Sequence, residues 1–124
     1  MTAGQDWRIQ ARADLEQAER AFKEKAWYVC ALFSQQAAEK ALKAVFIEEN
    51  SKLPPKTHDL VQLGTLVHSP QEVLNAGSIL TPAYIQSRYP GITPQIPVDF
   101  YTVQKASELL TKAKEIVAWT NKKE

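Results

Sequence analysis

Chemistry in this sequence has to come from a short set of side chains. They are the adjacent pair His58-Asp59, the pair Arg88-Tyr89, Lys40 with Lys43, His68 and Cys30. A histidine beside an aspartate near a helix start could meet a phosphate with help from the backbone N–H groups there. The plainer reading makes Thr57 the cap of that helix and Asp59 the complement of its dipole, with His58 packing or facing water. Arg88 is the sole cation between Lys56 and Lys105. Its planar guanidinium suits a phosphate or carboxylate clamp. It could equally pin its loop by pairing with a carboxylate such as Glu39, or by stacking on an aromatic. Lys40 and Lys43 share a helix face and could approach an anion. Glu39, however, precedes Lys43 by four residues, the spacing of a solvated surface pair. His58 and His68 are ten residues apart, so they cannot form a two-histidine metal face on one helix. Cys30 lies among Tyr28, Val29, Ala31 and Leu32, with no charge nearby to activate it, and reads as core. No catalytic residue, metal site or cofactor is assigned. His58, Asp59, Arg88, Tyr89, Lys40 and Lys43 stand as candidate ligand-binding residues.

The elements that must position these groups follow from where charges and breakers fall. All seven prolines lie between Pro54 and Pro97, and residues 53–98 hold only four charged side chains, Lys56, Asp59, Glu72 and Arg88. The flanking arms contain no proline and carry the remaining charge. Trp7, Ala11, Leu15, Ala18 and Phe22 fall on one helical face, as do Ala31, Gln35, Ala38, Leu42 and Val45, and then Val103, Ala106, Leu110, Ala113 and Val117. Three long amphipathic helices are predicted. The break between the first two, near residues 24–26, contains no Gly, Pro or Asn and rests on helix-length arguments alone. In the middle, Ser69-Pro70-Gln71-Glu72 predicts a capped helix start, Thr81-Pro82 a restart or kink, and residues 91–98 a connecting loop. No segment alternates as a strand. The expected architecture is an all-α, up-and-down bundle of four or five helices, with residues 1–124 forming one domain.

Composition narrows the function classes. No apolar run approaches the roughly 18 residues of a membrane span, and the first residues lack the pattern of a signal peptide. A single cysteine builds no internal disulfide framework, which fits a cytoplasmic setting. Charges cancel locally: residues 1–25 carry five of each sign and residues 26–52 three of each. Composition therefore gives no basic groove for nucleic acid.

The run Ser34-Gln35-Gln36-Ala37-Ala38-Glu39-Lys40-Ala41-Leu42-Lys43-Ala44 resembles the signature second helix of the HEPN domain, a small helical domain of higher eukaryotes and prokaryotes. The likeness extends upstream to Ala13-Asp14-Leu15-Glu16-Gln17-Ala18. Downstream it takes in Thr57-His58-Asp59-Leu60, Leu63, Tyr84 and Ser87-Arg88-Tyr89-Pro90. The resemblance implies a helical bundle, often a homodimer, acting in nucleotide or RNA transactions beside a minimal nucleotidyltransferase. Many catalytic members of that family are metal-independent ribonucleases whose motif is an Arg, four to six residues, then a His. Here the positions five to seven after Arg88 are Thr93, Pro94 and Gln95, and no histidine follows Arg8, Arg12 or Arg20 at that spacing. The expected function is thus a non-catalytic binding and assembly module. The alternative is a divergent ribonuclease or the toxin half of a toxin–antitoxin pair, using His58 and Arg88.

Overall fold

The computed structural model describes residues 2–124. The long arms form α1 (Ala3–Lys23), α2 (Trp27–Asn50) and α7 (Val103–Asn121). Between α2 and α7 lie α3 (Leu60–Leu66), α4 (Gln71–Leu80) and two single turns, α5 (Ala83–Gln86) and α6 (Pro97–Phe100). No strand occurs among the described residues. The described residues form the expected all-α bundle, with five helices longer than one turn among them.

Helix α2 is the axis of the bundle. The expected stripe of Ala31, Gln35, Ala38, Leu42 and Val45 is buried, and so are Ala37, Ala41 and Ala44 on neighbouring faces. Small side chains on several faces let α1, α7 and the α3–α5 segment all pack against one helix. Leu42, Leu60, Leu63, Leu80 and Ile116 fill the space between them and are fully buried. Each buried leucine or isoleucine of this kind stabilises the fold by about 1.5–3 kcal/mol relative to an exposed one.

Helix α1 buries a face rotated from the one its apolar spacing predicts. Ala11 and Ala18 are buried as expected, whereas Trp7, Leu15 and Phe22 are only half-buried, and Arg8 and Asp14 lie inside. Both polar residues find partners on other helices, which removes the cost of their burial. The break after α1 is real. Lys25 takes the left-handed conformation at φ 61°, and the Ala26 N–H closes the helix end by donating to the Ala21 carbonyl at 2.8 Å. A left-handed residue at this position is ordinarily glycine, so the turn carried no sequence signal.

Three local expectations are corrected. The cap of α3 is Asp59 rather than Thr57: its carboxylate accepts from the N–H groups of Val61 and Gln62 at 2.9 and 3.3 Å. Thr57 instead accepts from the Asp59 N–H at 3.1 Å. At α4 the cap position belongs to Pro70, and Ser69 makes no cap bond. With His68 left-handed, the chain folds back so that the Ser69 hydroxyl donates to the Gly64 carbonyl at 2.9 Å, closing α3. The loop expected over 91–98 gives way to α6 at its end, with Pro97 at the first helical position. Thr81-Pro82 is a restart: α4 ends at Leu80 and α5 begins at Ala83. The Thr81 hydroxyl donates to Gly77 O at 2.8 Å and accepts from the Leu60 N–H at 3.0 Å, tying α4 to the start of α3. Gly77 permits this approach, since a Cβ there would stand 3.2 Å from the Leu60 carbonyl carbon.

Candidate functional site

Glu39 is the hub of the polar groups that the fold brings together. It sits on the α2 face toward α3, and its side chain is 6% exposed. One carboxylate oxygen, Oε2, accepts from Lys43 Nζ at 3.0 Å. The other, Oε1, accepts from Gln35 Nε2 at 3.1 Å and lies 2.9 Å from His58 Nδ1. Burial alone would raise the Glu39 carboxyl. The hydrogen bonds from Gln35, His58 and Lys43, with the Lys43 charge, outweigh it and hold the group below its ordinary range. Gln35 also reaches the His58 carbonyl at 3.3 Å. Side chain and backbone of His58 are therefore both fastened to α2.

From the hub the cluster runs outward. The His58 ring stacks on Tyr84 with centroids 3.6 Å apart and planes 12° from parallel. The Arg88 guanidinium carbon lies 4.3 Å from the centre of the same Tyr84 ring, and Nη1 donates to the Tyr84 carbonyl at 3.0 Å. An imidazole at 3.6 Å leaves no room on its own side of the ring, so Arg88 covers the opposite face. Tyr84 is sandwiched, and the imidazole and guanidinium are separated by the thickness of its ring. His58 stays half-exposed, at 46% of its side chain, and Tyr89, which follows Arg88 in the chain, is 53% exposed.

Several expectations about these residues change. Arg88 does not pair with Glu39; it takes the aromatic alternative, and His58 holds the carboxylate instead. The Glu39–Lys43 pair is buried rather than solvated, at 6% and 8%. Lys40 turns to α1, donating to Asp14 at 2.5 Å, and Lys43 lies 5.8 Å from the Trp7 ring. The charge of each lysine is paired within the fold. Asp59 is occupied as a helix cap and does not join the cluster. His58 and Arg88 do converge, through Tyr84. Cys30 is fully buried, and burial pushes its thiol up. Burial likewise pushes the Tyr101 phenol up to about 12. Among the described residues no three His, Cys, Asp or Glu side chains gather as a metal site, and no helix is long and apolar enough to cross a membrane.

Two features were missed from the sequence. Tyr84 is the platform of the cluster, and its spacing of four before Arg88 was the available signal. Arg8, 4% exposed, forms a two-pronged pair with Glu48 at 2.9 and 2.7 Å and donates to the Thr120 carbonyl at 2.8 Å. Its partners stand 40 and 112 residues away, beyond any local pattern.

Fold and site together define a small all-helical module whose central helix carries a buried polar hub. Residues 5–123 match the HEPN domain model, and the chain belongs to the HEPN domain family. Among solved structures it is similar to TT1696 from Thermus thermophilus, at 29% identity and a TM-score of 0.91 over 100% of both chains. It is also similar to ST0689, an archaeal HEPN homologue, at 30% identity and a TM-score of 0.83, covering 99% of this chain and 98% of that one. A HEPN domain protein from Thermotoga maritima, tm0613, shares the fold at a TM-score of 0.71 and 24% identity over 94% and 95% of the two chains. No curated protein sequence matches.

Proposed function

We propose that this HEPN chain is a non-catalytic binding and assembly module that self-associates and engages a minimal nucleotidyltransferase, a nucleotide, or both. The observation that carries the reading is the His58–Tyr84–Arg88 stack. Its inner end is fixed to the buried Glu39–Lys43 pair, and its outer end presents unused imidazole and guanidinium donors beside Tyr89. Such donors suit a phosphate or a partner's carboxylate. The Tyr84 ring stands between the imidazole and the guanidinium. The experiment is a thermal-shift titration with ATP and GTP, beside capture of a small nucleotidyltransferase encoded in a neighbouring reading frame. A stabilising shift that Arg88→Ala abolishes supports the nucleotide arm. A shift unchanged by Arg88→Ala removes Arg88 from the site, and neither shift nor capture sinks the reading.

One observation favours the second reading, a divergent ribonuclease or toxin component. Glu39 holds the His58 ring through Nδ1, and the side chain is 46% exposed, which is how a carboxylate positions a general acid or base. Incubation with structured and unstructured RNA decides it: cleavage by the native chain that His58→Ala abolishes would displace the module reading.

A further inference from the structure

The cluster around His58 borders a strip of α2 that has a second wall. Gln36, Lys40, Lys43 and Ile47 follow one another at spacings of four, three and four and share one face of the helix. Gln36, Lys40 and Ile47 are half-buried and Lys43 is buried, so this face is the floor between α1 and the chain leading into α3. Trp7 of α1 stands on one side of it and His58 on the other. Lys43 Nζ lies 5.8 Å from the centre of the Trp7 ring and 3.0 Å from Glu39 Oε2, and Glu39 Oε1 lies 2.9 Å from His58 Nδ1. Two side chains therefore separate the indole from the imidazole. A single phosphate cannot touch both, whereas an extended nucleoside triphosphate can. Trp7 also lines a cleft of about 190 Å³ with Asp6, Gln10 and Lys40. That is less than the roughly 300–1,000 Å³ of a whole small-molecule site. It suits one planar ring system at the end of a longer ligand.

The polar lining selects among rings. The half-buried indole offers a stacking surface that every base can use. Asp6 is exposed and forms no ion pair among the described residues. Its ionised carboxylate only accepts hydrogen bonds. Gln10 donates its amide to Asp14 at 2.9 Å, which leaves its carbonyl oxygen as a further acceptor. Lys40 is held in place by Asp14 and keeps donors beyond that bond. Guanine matches this set. Its N1–H and N2 amino group are adjacent donors that one carboxylate accepts as a bidentate pair, and its O6 and N7 accept from a lysine. Adenine sets its one amino donor beside the N1 acceptor, so the second carboxylate oxygen would face a lone pair.

We propose that this cleft is the base subsite of a guanine nucleotide, with the ring on Trp7, its N1 and N2 donors on Asp6, and its phosphates reaching across the α2 strip to His58 and Arg88. This rests on the nucleotide arm of the reading above and assigns it a base. The test is an equilibrium binding titration of the full chain with GTP, ATP and inosine triphosphate. GTP is expected to bind about tenfold or more tighter than ATP. Inosine triphosphate, which lacks the N2 amino group, should fall between them. Asp6→Asn should keep the native helical circular dichroism and bring GTP to within about threefold of ATP. Trp7→Ala should weaken both nucleotides about tenfold or more, because stacking is blind to the base, and Trp7→Phe should recover much of that loss. Equal affinity of the native chain for GTP and ATP, or a preference that survives Asp6→Asn, overturns the base subsite. In either case a thermal shift that Arg88→Ala abolishes leaves the nucleotide arm itself standing. Native affinity in Trp7→Ala overturns the stacking platform. Absence of binding by all three nucleotides overturns this inference and the nucleotide arm together, and capture of the nucleotidyltransferase then decides what remains of the reading.

Discussion

Two side chains of the long helices, Arg8 and Glu39, carry buried charge into the bundle, and their networks end in different ways. Arg8 places Nε, Nη1 and Nη2 on Glu48 and the Thr120 carbonyl, joining α1, α2 and α7. Every group in that network belongs to the charged scaffold. Glu39 begins on the same scaffold but reaches the charge-poor middle through His58, and from there the contacts continue to Tyr84 and Arg88 at the surface. Comparable chemistry thus serves two purposes. A closed network fixes helix packing, whereas an open one fixes a segment and leaves donors facing outward.

The comparison is tested hardest at Glu39. Glu39→Ala leaves Lys43 buried without its counter-charge, and breaking a buried pair in this way costs about 3–5 kcal/mol. We expect about 3 kcal/mol in urea unfolding, because Lys43 retains the Trp7 face 5.8 Å away. The acid limb of stability gives a second signature. The folded carboxyl is held below its ordinary value of 4.5, so its contribution is complete above that pH and is lost as pH falls through the lower, folded value. Glu39→Gln should flatten stability against pH in that acid window. An unchanged acid limb would show that the hub is not a charged one.

Arg8→Ala is expected to cost somewhat less, about 2–3 kcal/mol. The partner it leaves, Glu48, is 31% exposed and can recover water, while the Thr120 carbonyl loses a donor. Because this network is closed, the variant should leave any nucleotide-induced thermal shift unchanged. A lost shift in a folded Arg8→Ala chain would mean the two networks are coupled.

Which parts of this arrangement were legible follows from how far apart the partners lie. The buried stripe of α2 from Ala31 to Val45 was readable because helical periodicity reports one face of one helix. Arg8 and Asp14 were not, since what permits their burial is Glu48 and Lys40, 40 and 26 residues away. The α1–α2 turn was located but unsignalled, because Lys25 adopts a conformation that sequence reading expects of glycine. At the site, His58, Glu39 and Arg88 were each singled out, and aromatic stacking was among the roles open to Arg88. Their pairing was not legible. Glu39 stands four before Lys43, the spacing of a surface pair, whereas α3 and the chain leading into it cover that face of α2. The order of short blocks along the chain identified the family where each block alone could not.

The smallest expected effect separates an open network from a closed one most directly. His58→Ala removes a stacked ring and a hydrogen bond to a carboxylate, which in a sealed interior would cost about 1.5–3 kcal/mol. The ring is nearly half exposed, however, and Glu39 keeps Gln35 and Lys43 as donors. We expect a loss of only about 1 kcal/mol in urea unfolding. His58→Phe, which retains stacking on Tyr84 but cannot bond to Glu39, should fall between the native chain and His58→Ala. A loss approaching that of Glu39→Ala would make His58 as much a part of the packed interior as Arg8 and the two networks alike. A loss near ~1 kcal/mol leaves the imidazole structurally dispensable, so that any larger effect of the same variant on ligand or partner binding belongs to function rather than to folding.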